Sequence, residues 1–388
     1  MATRIQIRRD TSANWTASNP VLAVGEQALE TDTGYMKMGD GSTVWSSLKY
    51  TSWRASGKKN ALINAVGFPV NQRLATSFAG STSTSSQAAY GLSDRWRFVA
   101  GTGATTLWTS GAPTPGAITG YAKNVIGFTR SNAGSTPSYM EQRIEDVSTF
   151  AGQQVTFSVL VDSTSGTVDF TLGLTQGFGV NSPTAATGSP SSDVTATSGT
   201  FTATTTPTVY SWTTTLASIA GQTLATNVPS IDYLAALISR PTTGNGPTTN
   251  LNVRAAQLEV GPVWTGWEVP ARGEVSYQCY RYYYRLNAGS TAQWVCSWSY
   301  TGTTSGYGIL LLPTPMRASP STNVSNATHA SVFTSGGPFA GVSGFSTSPG
   351  GAVESLRVTV VTGAATVGYG GYLYINNASG WLDAIAEL

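Results

Sequence analysis

Charge is scarce in this chain. Of 388 residues only 10% are Asp, Glu, Lys or Arg, and the formal net charge is +2. Nucleic-acid binding needs a concentrated basic face to neutralise phosphates, so a nucleic-acid partner is not expected. Histidine occurs once, as His329 in Asn323-Val-Ser-Asn-Ala-Thr-His-Ala330. One histidine builds no zinc site, and no Gly-x-Ser-x-Gly elbow accompanies it, so His329 reads as a loop residue rather than a catalytic base. The two cysteines, Cys279 and Cys296, fall on neighbouring predicted strands, where a cross-strand pair is geometrically possible. Against that pairing, the start Met-Ala-Thr-Arg-Ile-Gln-Ile-Arg-Arg-Asp10 has no apolar leader, and synthesis in a cytosol favours free, buried thiols. Long hydrophobic runs are missing too. The longest aliphatic run, Ile309 to Leu312, cannot cross a bilayer, so a soluble protein without membrane insertion is expected.

Carboxylates are as thin as the rest of the charge. Glycoside hydrolysis needs two of them flanking the scissile bond, and the dense acidic clusters are Glu26, Glu30 and Asp32, and Glu141, Glu145 and Asp146. Neither lies in an aromatic-rich stretch, so the expectation is that the chain is not an enzyme. Asp32, Asp40 and the turn Gly39-Asp40-Gly41 admit a calcium loop, but the spacing lacks the EF-hand series, and a tight hairpin turn is simpler. No metal and no cofactor are expected.

What the chain has in quantity is turn and strand material. There are 43 Gly and 18 Pro, and Ser/Thr-rich passages alternate with Val, Tyr, Phe and Trp. That is the composition of pleated, half-buried strands joined by tight turns, an all-β protein, and the length calls for several cores.

Three segments emerge. Residues 1–54 alternate apolar and polar, then break at Asn19-Pro20, Gly25-Glu26, Asp32-Thr-Gly34 and Gly39-Asp-Gly41, which predicts short strands between turns. So small a unit is expected to expose Trp15, Trp45, Leu48 and Trp53 as a monomer, and oligomerisation would cover them. A polar bridge, residues 54–60, leads to a second segment, 60–270. Its clearest strand is Gln154 to Asp162, with Val155, Phe157, Val159 and Val161 on a core face and Thr156, Ser158 and Leu160 on the other. Residues 181–208, poor in large apolar side chains, predict a mobile excursion or a weak edge hairpin.

The third segment, 274–388, opens on the aromatic run Tyr277 to Arg285, read as a strand. Trp294, Cys296, Trp298 and Tyr300 share one face of the next strand by period-two alternation. Ile309 to Leu312 predicts a strand buried on both faces, and Leu356–Val361 and Gly371–Ile375 complete a sandwich. Leu382 to Leu388 is either a final turn or a last strand.

The chain holds 11 Trp and 17 Tyr. Most are core by default, but flat rings also stack on the apolar faces of sugars. Trp294, Trp298, Tyr300, Tyr307, Tyr369, Tyr372, Tyr374 and Trp381 crowd the third segment among Gly and Ser, and these eight are the candidate carbohydrate or receptor contacts.

Specific residues carry a resemblance. Ile5-Gln-Ile-Arg-Arg-Asp10, Trp15-Thr-Ala-Ser-Asn-Pro-Val-Leu-Ala-Val-Gly-Glu26, Glu30-Thr-Asp-Thr-Gly34, Lys37-Met-Gly-Asp-Gly41 and Trp45-Ser-Ser-Leu-Lys-Tyr50 resemble the amino-terminal domain of phage tail-fibre and tropism-determinant proteins. Asn60-Ala-Leu-Ile-Asn64, Phe68, Asn71-Gln-Arg73, Asp94-Arg-Trp96, Gln142-Arg-Ile-Glu145 and Ala256-Gln-Leu-Glu-Val-Gly261 are similar to phage tail proteins with a jelly roll like that of carbohydrate-binding modules. Glu274-Val-Ser-Tyr-Gln-Cys-Tyr-Arg-Tyr-Tyr-Tyr284 and Leu312-Pro-Thr-Pro-Met-Arg317 resemble the carboxy-terminal part of the same proteins, with Cys279-Tyr280-Arg281 standing where Cys-Gln-Arg is commoner. No sugar-contacting motif is fixed in that family, and Asp94-Arg-Trp96 and Gln142-Arg-Ile-Glu145 look like buried framework.

The resemblance implies three units. These are a small trimeric β domain (1–54) for virion attachment, a jelly-roll β-sandwich (60–270), and a carboxy-terminal β-sandwich (274–388) as receptor-binding tip. It implies a homotrimer in the virion tail, held by other tail or baseplate proteins and binding host polysaccharide or lipopolysaccharide. The rival readings are a tail-associated depolymerase and a structural connector in which the jelly roll is only a spacer.

Overall fold

A computed structural model describes residues 6–48, 50–51, 59–81, 87–111, 124–179, 193–224, 231–246, 248–287, 293–334, 337–341, 344–348, 353–362 and 367–387. The protein is all-β, with 49% of the described residues in strands and 7% in helices.

The amino-terminal stretch pairs Arg8–Asp10 in parallel with Gln27–Glu30, which continues antiparallel to Met36–Met38 and Tyr50–Thr51. Turns alone do not join these strands. Ser12–Ser18 is a helix, capped by the Thr11 hydroxyl and closed by Asn19 in the left-handed region. It carries Trp15 onto Trp45, the rings stacked 4.4 Å apart. Both indoles, with Leu22, Ala28 and Leu48, are buried within the single chain. The expectation that a monomer would leave Trp15, Trp45 and Leu48 exposed is therefore corrected, because a helix packs a large ring into a small core where a turn would not. Trp53 and most of the polar bridge, residues 52–58, lie outside the described residues. Asn60 at its end is not solvated: its side-chain amide donates to the Ala256 carbonyl, and its oxygen accepts from the Leu62 and Leu258 amides.

The central stretch is a jelly-roll-type sandwich. One sheet runs Thr208–Thr215, Gln154–Ser163, Leu251–Val260, Val125–Ala133, Ala104–Gly111, Ser77–Ser81. The facing sheet runs Val194–Thr197, Val168–Gly177, Tyr233–Arg240, Ser138–Glu145, Arg97–Ala100, Gln87–Tyr90, with Phe201–Ala203 also on Val168–Gly177. Between them Val155, Phe157, Val159 and Val161 meet Phe98, Met140, Phe170, Leu172 and Ile238, as alternation requires. The other face of Gln154–Ser163 is buried too. Leu160 packs with Val66 and Trp267, and the Thr156 hydroxyl donates to the Gly261 carbonyl. The chain on either side of the sandwich folds back as a strap over that face. The edge hairpin expected in 181–208 is corrected among the described residues: Val194–Thr197 and Phe201–Ala203 both pair with Val168–Gly177, one interrupted strand at the sheet margin, because that neighbour offers partners along its whole length; residues 180–192 lie outside the described residues.

Arg272–Tyr280 is a helix, not the strand its aromatics predicted. Val275 and Cys279, four residues apart, bury one side against Val70, and Gln278 hydrogen-bonds Glu274 across the same spacing. Pro270 before the first turn and Glu274 within it are the start signals that the β-rich ring content masked. The strand begins only at Tyr283 and runs to Asn287. Cys279 thus sits on a helix and Cys296 on a strand, and they do not form a disulfide.

The carboxy-terminal stretch packs a three-stranded sheet (Tyr283–Asn287, Trp381–Ile385, Ser321–Val324) against a seven-stranded one. The latter runs Gly337–Gly341, Ala330–Thr334, Gly370–Ile375, Gln293–Tyr300, Ser305–Leu311, Ser355–Val361, Gly344–Ser348. Leu382 onward is the last strand, the second of the two alternatives. Ser305–Leu311 is not buried on both faces: Leu310 enters the core, whereas Ile309 and Leu311 point out, Leu311 being 74% exposed.

The two sandwiches are joined by paired charge. Arg95 donates to Glu387 at 2.7 Å and lies 3.4 Å from the centre of the Tyr282 ring; Arg73 lies as close over Tyr283. Arg281 grips Glu145, and Gln72 bridges Asp94 to the Tyr283 carbonyl. Asp94 is fully buried there, and burial pushes its carboxyl up from 3.8 to about 6 despite Gln72 and Arg73; Glu387 adds to the rise. A carboxyl that holds its proton more tightly folded than unfolded stabilises the fold fully below about pH 4, and that contribution, about 3 kcal/mol, is lost as pH rises through 6. Melting curves between pH 4.5 and 7.5 should therefore show Asp94→Asn gaining on the wild type as pH rises; parallel curves would show that Asp94 does not titrate in this range.

Candidate functional site

The outward face of the seven-stranded sheet is where the sequence candidates separate. In Gln293–Tyr300 a bulge between Trp294 and Cys296 breaks the period-two alternation. Beyond it Trp298 and Tyr300 turn inward, their rings 4.2 Å apart, with the Tyr300 hydroxyl bonded to Thr362. Gly306 makes room for that indole, since a Cβ there would come within 2.7 Å of Trp298 Cζ2. Before the bulge Trp294 points out. Sharing one face among Trp294, Cys296, Trp298 and Tyr300 is thus corrected: Trp298 and Tyr300 are core, and Trp294 stands 59% exposed on the opposite side.

On that outer face three of the eight candidates meet. Trp294 packs edge-on to Tyr372 at 5.7 Å and tilts against Tyr374 at 5.4 Å. Tyr372 is 53% exposed; Tyr374 is covered. Phe333, missed in the sequence, is the cross-strand partner of Tyr372 and also exposed. Its strand, Ala330–Thr334, is only five residues long, and pairing with Gly370–Ile375 reveals where the ring stands. Tyr307 lies two strands from Tyr372, under the Arg357 guanidinium at 4.6 Å. Tyr369 is exposed in the turn before Gly370. Trp381 belongs to the other sheet, half-buried beneath Arg285 at 4.4 Å.

A second outward face, on the central sandwich, was read as framework. Glu141 is held between Arg97 and Arg143, cross-strand from Arg97, and Arg143 lies over the Tyr233 ring at 4.2 Å. Glu141 is buried, as is Gln142, which ties to both backbone groups of Ile63. A cleft of about 200 Å³ lies between Lys37, Leu48, Tyr50 and Trp264, but the Lys37 ammonium is already taken by the Trp45 carbonyl and the Tyr50 ring.

The acidic clusters are dispersed into structural roles. Glu26 accepts from Arg8 and the Ala23 amide, and Glu30 from Tyr50 and Thr33. Asp32 accepts from Ser12 twice, which holds its carboxyl below the ordinary range. Glu145 pairs with Arg281, and Asp146 accepts from the Ser148 amide. Asp40 organises the turn after it by accepting from the Ser42 and Thr43 amides, the tight-turn alternative. The His329 Nδ1 shares a hydrogen bond with the Ser325 hydroxyl at 3.0 Å. Among the described residues no group of three or more His, Cys, Asp or Glu is arranged to hold a metal.

Comparison with known proteins bears on these sites. Residues 5–43 match the sequence model of the Major tropism determinant N-terminal domain. A stretch of 47 residues, 12% of this chain, is 45% identical to a Hyaluronoglucosaminidase of Streptococcus pyogenes phage H4489A, of whose length it spans 13%. Among solved structures, an enzymatically active domain of tailspike protein 4 of bacteriophage CBA120 is similar at TM-score 0.28 and 10% identity, over 52% of this chain and 21% of that one. A family 11 carbohydrate-binding module of Clostridium thermocellum is similar at TM-score 0.27 and 9% identity, over 47% and 99%. The expectation that the chain is not an enzyme is overturned by the phage Hyaluronoglucosaminidase relative, over the 47 residues they share. Thin carboxylate content in a sequence says little about which two carboxylates a fold brings together.

Proposed function

We propose that this chain is a virion-tail component that attaches a phage to its host by binding cell-surface glycan, through the outer face of the carboxy-terminal sheet. The observation that carries the reading is the exposed ring pair Trp294 and Tyr372, backed by Tyr374 and flanked by Phe333. Indole and phenol faces stack on sugar rings, and large exposed apolar patches on soluble proteins mark recognition sites. Residues 1–54 join the virion through other tail or baseplate proteins, which the tropism-determinant match supports. The 60–270 sandwich carries the 274–388 tip. Homotrimerisation would cover Val24, 81% exposed, with Val21 and Met38, and three weak sites on one fibre gain avidity.

The test is attachment of labelled protein to intact host cells, in competition with phage adsorption. Trp294→Ala removes an exposed ring, so stability should move by less than about 0.5 kcal/mol, while cell binding falls about 30-fold, as at an interface hot spot. A wild-type protein that stays folded in the supernatant supports the connector instead. The phage Hyaluronoglucosaminidase relative favours a second reading, hydrolysis of the same glycan. Release of reducing ends from the bound polysaccharide establishes it.

A further inference from the structure

The sheet that presents Trp294 and Tyr372 is nearly without charge. From Ala288 to Gly380 the charged residues are Arg317, Glu354 and Arg357. Arg317 is turned inward, its Nε donating to the Ala386 carbonyl. Glu354 precedes Ser355–Val361. Arg357 lies within that strand, exposed and outward, paired across the sheet with Ile309. Its guanidinium lies over the Tyr307 ring at 4.6 Å, and among the described residues no carboxylate lies within ion-pair distance of it. An arginine held over an aromatic ring gives up some of its side-chain freedom in advance, and its fork of donors suits a planar oxyanion.

Distance ties this cation to the aromatic pair. Tyr372 and Arg357 stand on strands three steps apart in the sheet, Gly370–Ile375, Gln293–Tyr300, Ser305–Leu311 and Ser355–Val361. At about 4.8 Å per step the separation is about 14 Å, the reach of an oligosaccharide rather than one sugar. Between them on the outward face lie Ser297 and Ser299, which supply hydroxyls, and then Ile309 and Tyr307, whose exposed side chains give the floor its apolar surface.

We infer that this face takes an acidic polysaccharide, one sugar ring stacking on Trp294 and Tyr372 while the carboxylate of a uronic acid residue further along the chain is held by Arg357. This inference rests on the glycan-binding reading and names its substrate class. A single guanidinium matches one singly charged, planar carboxylate per repeat. A polyphosphate backbone, by contrast, would call for several cations in a row.

The experiment measures binding of the full chain by calorimetry to polyglucuronate, polygalacturonate, alginate and hyaluronan, each beside its carboxyl-reduced counterpart. At least one uronate polymer should bind about tenfold or more tightly than its reduced form, the ordinary effect of a hydrogen bond to a charged group. Arg357→Ala should abolish that preference, and Arg357→Lys should restore it only in part. Trp294→Ala should weaken both forms alike. If the reduced polymers bind as well as the acidic ones while Trp294→Ala still weakens them, the acidic class is wrong and the glycan reading survives. If no polymer binds and cells are not bound either, both fall. Because Arg357 is exposed, its variants should keep the wild-type melting curve, so loss of binding is not loss of fold.

Discussion

Replacing Trp108 by alanine is expected to destabilise the central sandwich by about 3–5 kcal/mol, the cost of emptying a core indole site. Trp108 is fully buried at the meeting of Phe78, Phe98 and Phe128, with ring centroids 5.4, 6.0 and 5.0 Å away. Phe98 comes from the opposite sheet, so the indole fills the space between layers. Rigid β-layers cannot close over the vacancy as mobile loops could, and most of the cavity should persist. Urea denaturation followed by circular dichroism should show a lower midpoint with an unchanged slope. A loss below about 1 kcal/mol would mean that neighbouring rings collapse into the space.

The second large effect is expected at Glu387. Arg95 is buried, and Glu387 is the carboxylate that balances it across the junction of the two sandwiches. Glu387→Ala leaves a buried guanidinium with only the Arg143 carbonyl and the Tyr282 ring, a loss of about 3–5 kcal/mol. Arg95→Met combined with Glu387→Leu should cost less, because the buried Arg95 charge leaves with its partner, and Arg73, which loses Glu387 at 3.6 Å, keeps Asp94 at 3.9 Å. Calorimetry should show one melting transition in the wild type, and in Glu387→Ala an earlier one for the carboxy-terminal sandwich. A single unshifted transition would show that the Arg281–Glu145 pair and Gln72 hold the junction without Glu387.

Much of the strand content was legible because alternation is a local property. Val155, Phe157, Val159 and Val161 face the core as their spacing requires, and Ser355–Val361 and Gly370–Ile375 stand where their β-branched and aromatic residues placed them. Two local patterns misled. Aromatic residues from Tyr277 onward hid a helix whose Glu274, Val275, Gln278 and Cys279 carry the four-residue spacing. The turn-rich opening hid the Ser12–Ser18 helix that buries Trp15. In both cases a propensity worth a few tenths of a kcal/mol per residue was outweighed by burial, of Trp15 in one helix and of Val275 and Cys279 in the other.

The candidate site was legible only as a list of rings. Composition and period placed the aromatics on strands of an all-β chain, with low charge and no membrane-length run. Tertiary structure alone decided which rings are exposed. One bulged residue in Gln293–Tyr300 sends Trp294 outward and Trp298 inward, since a one-residue shift exchanges the two faces of a strand. Whether the second face of Gln154–Ser163 is wet was likewise decided by a strap from distant sequence, and the meeting of Trp294, Tyr372 and Phe333 by strand order. Alternation specifies that a strand has two faces; which face meets water depends on what the rest of the chain lays against it.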